Sequence, residues 1–193
     1  VEVSEEDAVD VDRMLESLST RVTLAAIEKQ RGNLWMFHAA GVALPDGRVV
    51  AVVGPSGRGK TTLSRALGRQ FGYVSDETIA LNDELDVFHY RKPLSVVRAG
   101  LPKHQVAPRE LELLELPDRP LKLVALVLLE REPGFAEPII EELTIVDALA
   151  DLVPQTSYLT HHQRPLQRLA TLLDRLGGIV RVRYSEAETL PGL

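Results

Sequence analysis

One stretch of the chain combines residue types at the spacing that phosphate chemistry demands: Gly54-Pro55-Ser56-Gly57-Arg58-Gly59-Lys60-Thr61, followed by Thr62. It satisfies G-x-x-x-x-G-K-[ST] at every required position. Gly54, Gly57 and Gly59 permit the positive φ angles and close backbone approach of an anion-cradling nest. The amides of Arg58, Gly59 and Lys60, at the start of a helix, would point at phosphate oxygens where the helix dipole favours negative charge. Lys60 supplies a compact cation for the outer phosphates, and the Thr61 hydroxyl supplies a hard oxygen ligand for Mg²⁺. The residues from Gly54 to Thr62 are therefore the candidate nucleotide site, with ATP and Mg²⁺ as the expected ligands.

Two further groups join this loop. Ser75-Asp76-Glu77 follows it by one helix and one strand. A carboxylate there can hold Mg²⁺ through water or take the proton of an attacking hydroxyl. Asp76 and Glu77 are candidate catalytic acids, and Asp76 joins Thr61 as a candidate metal ligand. Acids at strand ends also serve plain turns, which is the bland alternative. His38, in the apolar run before the loop, is the third candidate, placed to orient the acids or the γ-phosphate. A lone histidine in such a run is more often a packed residue with one hydrogen bond.

The elements that must position these residues follow from periodicity. Apolar residues at Met14, Leu15, Leu18, Val22, Ala25 and Ala26 predict a helix over residues 12–30, stopped by Gly32 and Asn33. Residues 34–44 and 48–53 read as two strands joined by the tight turn Pro45-Asp46-Gly47. The loop opens a helix over 62–70, and 71–74 is a strand ending at the acids. Residues 78–81 and 85–88 form a second hairpin, and 94–97 is a short strand. The proline-rich segment 99–120 is a long excursion with one helical turn at 109–114. Residues 121–129 make a central apolar strand, 145–152 and 163–176 are helices, and 179–184 is a last strand. The expectation is an α/β fold: a mixed sheet with flanking helices around the phosphate loop. The organisation is an acidic segment and helix over 1–32, then a nucleotide-binding domain over 33–193.

Composition excludes several alternatives. No apolar run approaches the roughly 20 residues that span a bilayer, so no membrane partner is expected. The first residues resemble no signal peptide. The chain does not start with Met, which is consistent with an upstream portion having been removed. With no cysteine there are no disulfides and no thiolate metal sites, which suits the cytoplasm. Six acids precede the first base, Arg13, and without them 22 acids balance 22 bases, so no nucleic-acid partner is expected. That acidic head reads as solvated and frayed. His161-His162, His89 and His104 offer no evident metal pair or partner, and Arg164, Arg168 and Arg175 read as a solvated helix face.

The run from His38 to Leu63, with Tyr73-Val74-Ser75-Asp76-Glu77, resembles the HPr kinase-like group. In that group a histidine-bearing strand, a hairpin, a phosphate loop and paired acids come in this order, and phosphoenolpyruvate carboxykinases share the nucleotide core. The resemblance covers residues 34–98. It implies a carboxykinase-like core, with Asp76 and Glu77 as metal ligand and general base in an order left open. It also implies a serine hydroxyl of a protein or peptide as phosphoacceptor, and allows a homo-oligomer. Arg91-Lys92-Pro93-Leu94-Ser95 resembles a basic strand start of that group, where a base approaches phosphates or substrate; an edge-strand cap is the equal alternative. The glutamate–arginine–glycine stretch of the bifunctional kinase/phosphatases is missing, which argues against phosphatase activity and against HPr as substrate.

Two other readings compete. An ATP-binding cassette domain would need a stretch close to L-S-G-G-Q and an apolar strand ending in Asp-Glu. The first is absent, and Leu126-Val127-Leu128-Leu129-Glu130 lacks the aspartate. A sensing module would bind ATP and transfer nothing, tolerating loss of Asp76 and Glu77 but not of Lys60.

Overall fold

β-Branched and alternating apolar residues decide the centre of the molecule. In the computed structural model, which describes residues 5–186 together with 189 and 190, helix α1 (Glu5–Lys29) precedes strands β1 (Trp35–Ala43) and β2 (Arg48–Val53). The two strands form the expected hairpin, with Ala39 opposite Val53 and Ala43 opposite Val49. Its turn uses Gly47 at φ +90°, where an added Cβ would lie 2.4 Å from the Pro120 carbonyl. The phosphate loop leads into α2 (Lys60–Leu67), then β3 (Gly72–Ser75), β4 (Thr78–Leu81) and β5 (Val87–Phe88). A separate hairpin of β6 (Leu94–Val96) and β7 (His104–Val106) follows. The chain then runs through β8 (Lys122–Arg131), β9 (Ile139–Glu142), α3 (Ile145–Leu152), α4 (Pro165–Arg175) and β10 (Val180–Tyr184).

The main sheet has the order β5-β4-β1-β2-β8-β10-β9, with β3 also on β1. Strands β2, β8 and β10 are mutually parallel, and every other pairing is antiparallel, so the sheet is mixed as expected. One face carries Trp35, Phe37, Val49, Ala51 and Leu123 against Ala148 and Leu152 of α3 and Leu169, Leu172 and Leu173 of α4. The other packs Leu63 of α2 against Ala40, Val52, Leu129, Val182 and Tyr184. Each such leucine or valine removed from water contributes about 1.5–3 kcal/mol. Helices on both faces explain why β1 and β2 read as continuous apolar runs rather than alternating ones.

Position β1 has an unusual role. Its far edge is shared by two strands: Trp35 to His38 pair with β4, and Gly41 to Ala43 pair with β3. Gly41 faces Ser75 and Val42 faces Tyr73, which leaves Val74 as an extra residue in a bulge. The chain crosses between the two strands at Asp76 and Glu77, and Ala39 N–H closes the gap by bonding the Glu77 carbonyl at 3.1 Å.

Several sequence expectations need correction. Helix α1 begins at Glu5, so the acidic head is helical from there on; Val1 to Ser4 lie outside the described residues. Asp12 is 5% exposed, bonded to Arg98 and, at 2.7 Å, to His104, so it is neither solvated nor frayed, and His104 does have a partner. Much of the apolar stripe of α1 faces solvent, Met14, Leu18 and Val22 among it. Arg168 pairs with Asp83 at 2.5 Å and lies over Trp35, while Arg175 donates to the Asp83 carbonyl. These arginines tie α4 to the β4–β5 turn. His162 is buried and stacks on Trp35 at 4.2 Å between ring centroids. Strands β7 and β9 had no signal: three half-buried residues in one, four exposed in the other.

Candidate functional site

The loop from Gly54 to Gly59 links the carboxyl end of β2 to the amino end of α2. Gly57 and Gly59 adopt φ of +81° and +77°, as the nest requires. No side chain caps α2, so its first amides stay available to a ligand. Lys60 is 6% exposed and folds back to donate to the carbonyls of Gly54 at 2.5 Å and Pro55 at 3.1 Å. Burial pulls its pKa down to about 8, against the opposing charges of Asp76 and Glu77. A lysine held this way is ready to exchange two carbonyls for phosphate oxygens.

The carboxylates stand across from it. Asp76 is 5% exposed, with Oδ2 accepting from the Thr61 hydroxyl at 3.4 Å and Oδ1 from the Tyr73 hydroxyl at 3.2 Å. Burial and the Asp76 charge push the Tyr73 phenol up, which keeps it a donor. Ser75 turns the chain here, its Oγ accepting from the amides of Glu77 and Thr78. His38 donates from Nδ1 to the Glu77 carbonyl at 3.1 Å, leaving Nε2 as the acceptor of the ring. Burial first, then the Lys60 charge, lowers the His38 pKa and favours the neutral ring.

Lys92 was absent from the sequence-derived set. It is 3% exposed, and its ammonium sits 2.8 Å from Glu77 Oε2 and 3.6 Å from Asp76 Oδ1. The basic run Arg91-Lys92-Pro93 was its only sequence signal, equally readable as an edge cap. The structure buries Lys92 against the acids, so it caps no solvated edge.

His38, Lys60, Thr61, Asp76, Glu77 and Lys92 all border one cavity of about 360 Å³. Ser56, Gly57, Gly59 and Thr62 line it from the loop and helix. Gly54 and Pro55 take part through their carbonyl bonds to Lys60, and both border, with Arg58, a separate cavity. Arg58 donates instead to the Arg131 carbonyl at 2.6 Å, and its own carbonyl accepts from the Tyr184 hydroxyl. Arg58 thus braces the loop against the ends of β8 and β10.

The donor set fits Mg²⁺ bound together with phosphates. Thr61 and Asp76 supply two hard oxygens on one side, and Mg²⁺ at such sites takes its remaining positions from water and phosphate. Among the described residues no cluster of three or more His, Asp or Glu could hold a metal by protein ligands alone.

Comparison with known proteins adds relatives of one kind. The chain is 39% identical over 57 residues to the intermembrane phospholipid transport system ATP-binding protein MlaF of Escherichia coli strain K12, covering 30% of this chain and 21% of that protein. It is 37% identical over 82 residues to the hemin import ATP-binding protein HmuV of Roseobacter denitrificans, covering 42% and 31%. The chain thus spans between a fifth and a third of the length of these relatives. No protein-family model matches it.

These relatives overturn the HPr kinase-like resemblance, since both are ATP-binding proteins of transport or import. The protein or peptide phosphoacceptor and the exclusion of a membrane partner fall with it. The physical reason is that a strand, a phosphate loop and a helix identify the nucleotide end of a reaction and say nothing of what receives the phosphoryl group. No helix among the described residues is long and apolar enough to cross a membrane.

Proposed function

We propose that this chain binds Mg–ATP at the Gly54–Thr62 loop and hydrolyses it, as an ATPase module serving a transport system. The carrying observation is the convergence of Lys60, Thr61, Asp76 and Glu77 on one cavity. The named functions of MlaF and HmuV, phospholipid transport and hemin import, point to a membrane transport component as the partner. The sequence holds no stretch close to L-S-G-G-Q. The proposal therefore assigns hydrolysis to the acids of this chain and not to that signature.

In this reading water attacks the γ-phosphorus in line. Its proton passes to a carboxylate of the Asp76–Glu77 pair, the bond to the β–γ bridging oxygen breaks, and ADP leaves with that electron pair. Lys60 and the loop amides neutralise charge on the phosphates. Thr61 and Asp76 would hold Mg²⁺, which screens the β- and γ-phosphates. His38, through the Glu77 carbonyl, fixes the backbone that carries the acids.

The test is phosphate release from ATP with Mg²⁺ or with EDTA, on the natural chain, Lys60→Ala and Asp76→Asn. Mg-dependent release lost in both variants supports hydrolysis. Release that survives Lys60→Ala would sink the proposal. A second reading, a sensing module, is favoured by one contact: Lys92 at 2.8 Å ties up the Glu77 carboxylate that would serve as base. Tight Lys60-dependent ATP binding with no phosphate release selects that reading.

A further inference from the structure

Beyond the phosphate cavity, the parallel strands β8 and β10 end beside the loop, and their outgoing segments enclose a second cavity of about 410 Å³. Arg58, Arg131, Pro133, Gly134, Ser185 and Glu186 line it. Arg131 and Glu186 line the phosphate cavity as well, so the two spaces adjoin. Resting on the Mg–ATP reading above, we propose that this second cavity holds the nucleoside, with the Arg131 guanidinium against the base and the Glu186 carboxylate toward the ribose hydroxyls.

Three observations carry the assignment. The γ-phosphate end is fixed by chemistry: Asp76, Glu77 and Lys92 lie on the β1–β3–β4 side of the loop. A triphosphate stretched over the loop amides then leaves on the opposite side, where β8 and β10 stand. In open α/β sheets, ligands settle in the crevice outside the carboxyl ends of parallel strands, and β2, β8 and β10 are the parallel strands here.

The walls are also preformed. Ser185 Oγ accepts from the Phe135 amide at 2.8 Å and donates to the Glu132 carbonyl at 2.9 Å, and Glu132 N–H bonds the Tyr184 carbonyl at 2.9 Å. Arg131 is fixed by the Ser185 carbonyl at 2.8 Å and by Glu186 at 3.0 Å. A guanidinium tethered by two partners still offers its face to a base. The cavity volume lies within the usual range for small-ligand sites, roughly 300–1,000 Å³.

The experiment uses the whole chain with two probes, Mg–ATP and Mg–tripolyphosphate, measured by calorimetry, and 8-azido-ATP for photolabelling mapped by peptide mass. Label on residues 131–135 or 185–186 supports the assignment; label confined to α1 or β1 overturns it. ATP should bind about tenfold tighter than tripolyphosphate, and Arg131→Ala should bring that ratio to within about threefold. Glu186→Gln should weaken ATP more than 2′,3′-dideoxy-ATP. An unchanged ratio in Arg131→Ala overturns the subsite. If the natural chain binds tripolyphosphate through Lys60 but ATP no more tightly, only the nucleoside subsite falls. If it binds neither, the Mg–ATP reading falls and takes the subsite with it.

Discussion

Acids and bases crowd both flanks of the phosphate loop, and the two crowds behave differently. On the β3–β4 side, Lys60, Asp76 and Lys92 are each 6% exposed or less, and at least two polar contacts hold each of them. On the β8–β10–β9 side, Arg181 reaches Glu130, Glu141 and Asp151, while Arg183 reaches Glu130 and Glu132, with the acids over 40% exposed. The second network has more ion pairs and is more conspicuous in sequence. Water screens it, and each of its two arginines has more than one acid, so it holds β9 and α3 to β10 at little cost when one pair is lost. In the buried group, a lost partner leaves a charge out of water's reach. Depth, not the number of charges, separates the acid–base group of the phosphate cavity from the Arg181–Arg183 brace.

Substitution on each flank can break that contrast. The largest effect belongs to Lys60→Ala, which should weaken Mg–ATP binding at least ~100-fold and slow phosphate release by about 10³, read by calorimetry and phosphate assay. Asp76→Asn should cost hydrolysis about 10²–10³ while ATP binding falls less, and full activity in this variant would remove Asp76 from the chemistry. Lys92→Met leaves two carboxylates without their cation and should destabilise the fold by about 3 kcal/mol in urea melts. Arg181→Ala, on the other flank, should cost under about 1 kcal/mol and leave nucleotide affinity alone. If the Arg181 loss rivals the Lys92 loss, the contrast fails.

Acidity sharpens it further. Lys60 titrates at about 8 in the fold against 10.5 when free, so the folded chain sheds its proton first. Between those values the unfolded chain binds more protons, and the stability contribution of Lys60 rises with pH. Phosphate binding has the opposite sign, because it needs the ammonium. ATP affinity should decline as pH passes upward through about 8, by calorimetry from pH 7 to 9, and the residual binding of Lys60→Ala should not follow that decline.

The loop, its flanking strand and helix, and the acids after β3 were legible because each signal is local: a motif, a β-branched run, a turn. The central strand Leu121 onward and helix α3 were legible for the same reason. What escaped was non-local. Asp12 looks like one acid in an acidic run until Arg98 and His104, 86 and 92 residues away, are seen beside it. Lys92 reads equally as an edge cap or as a base near the phosphates until the chain brings Asp76 and Glu77 to it. Arg168 and Arg175 sit at solvated helical spacing, and only the β4–β5 turn reveals that Asp83 binds both. The HPr kinase-like resemblance failed differently: its order of strand, loop and acids describes phosphate handling, which the transport ATP-binding relatives also need.

The extra residue at Val74 sets limits on how proteins built to this plan can vary in length. Side chains alternate along a strand, so losing one residue between Gly72 and Ser75 would exchange the directions of Asp76 and Glu77 and carry the aspartate away from Tyr73 and Thr61. The tip of the β6–β7 hairpin at Gly100 is under no such rule, since an added Cβ there would meet no neighbouring atom. Insertions and deletions should accumulate at that tip and be purged from the corner between β3 and β4, so that a lineage of such proteins would record the position of its chemistry in where its chain length never changes.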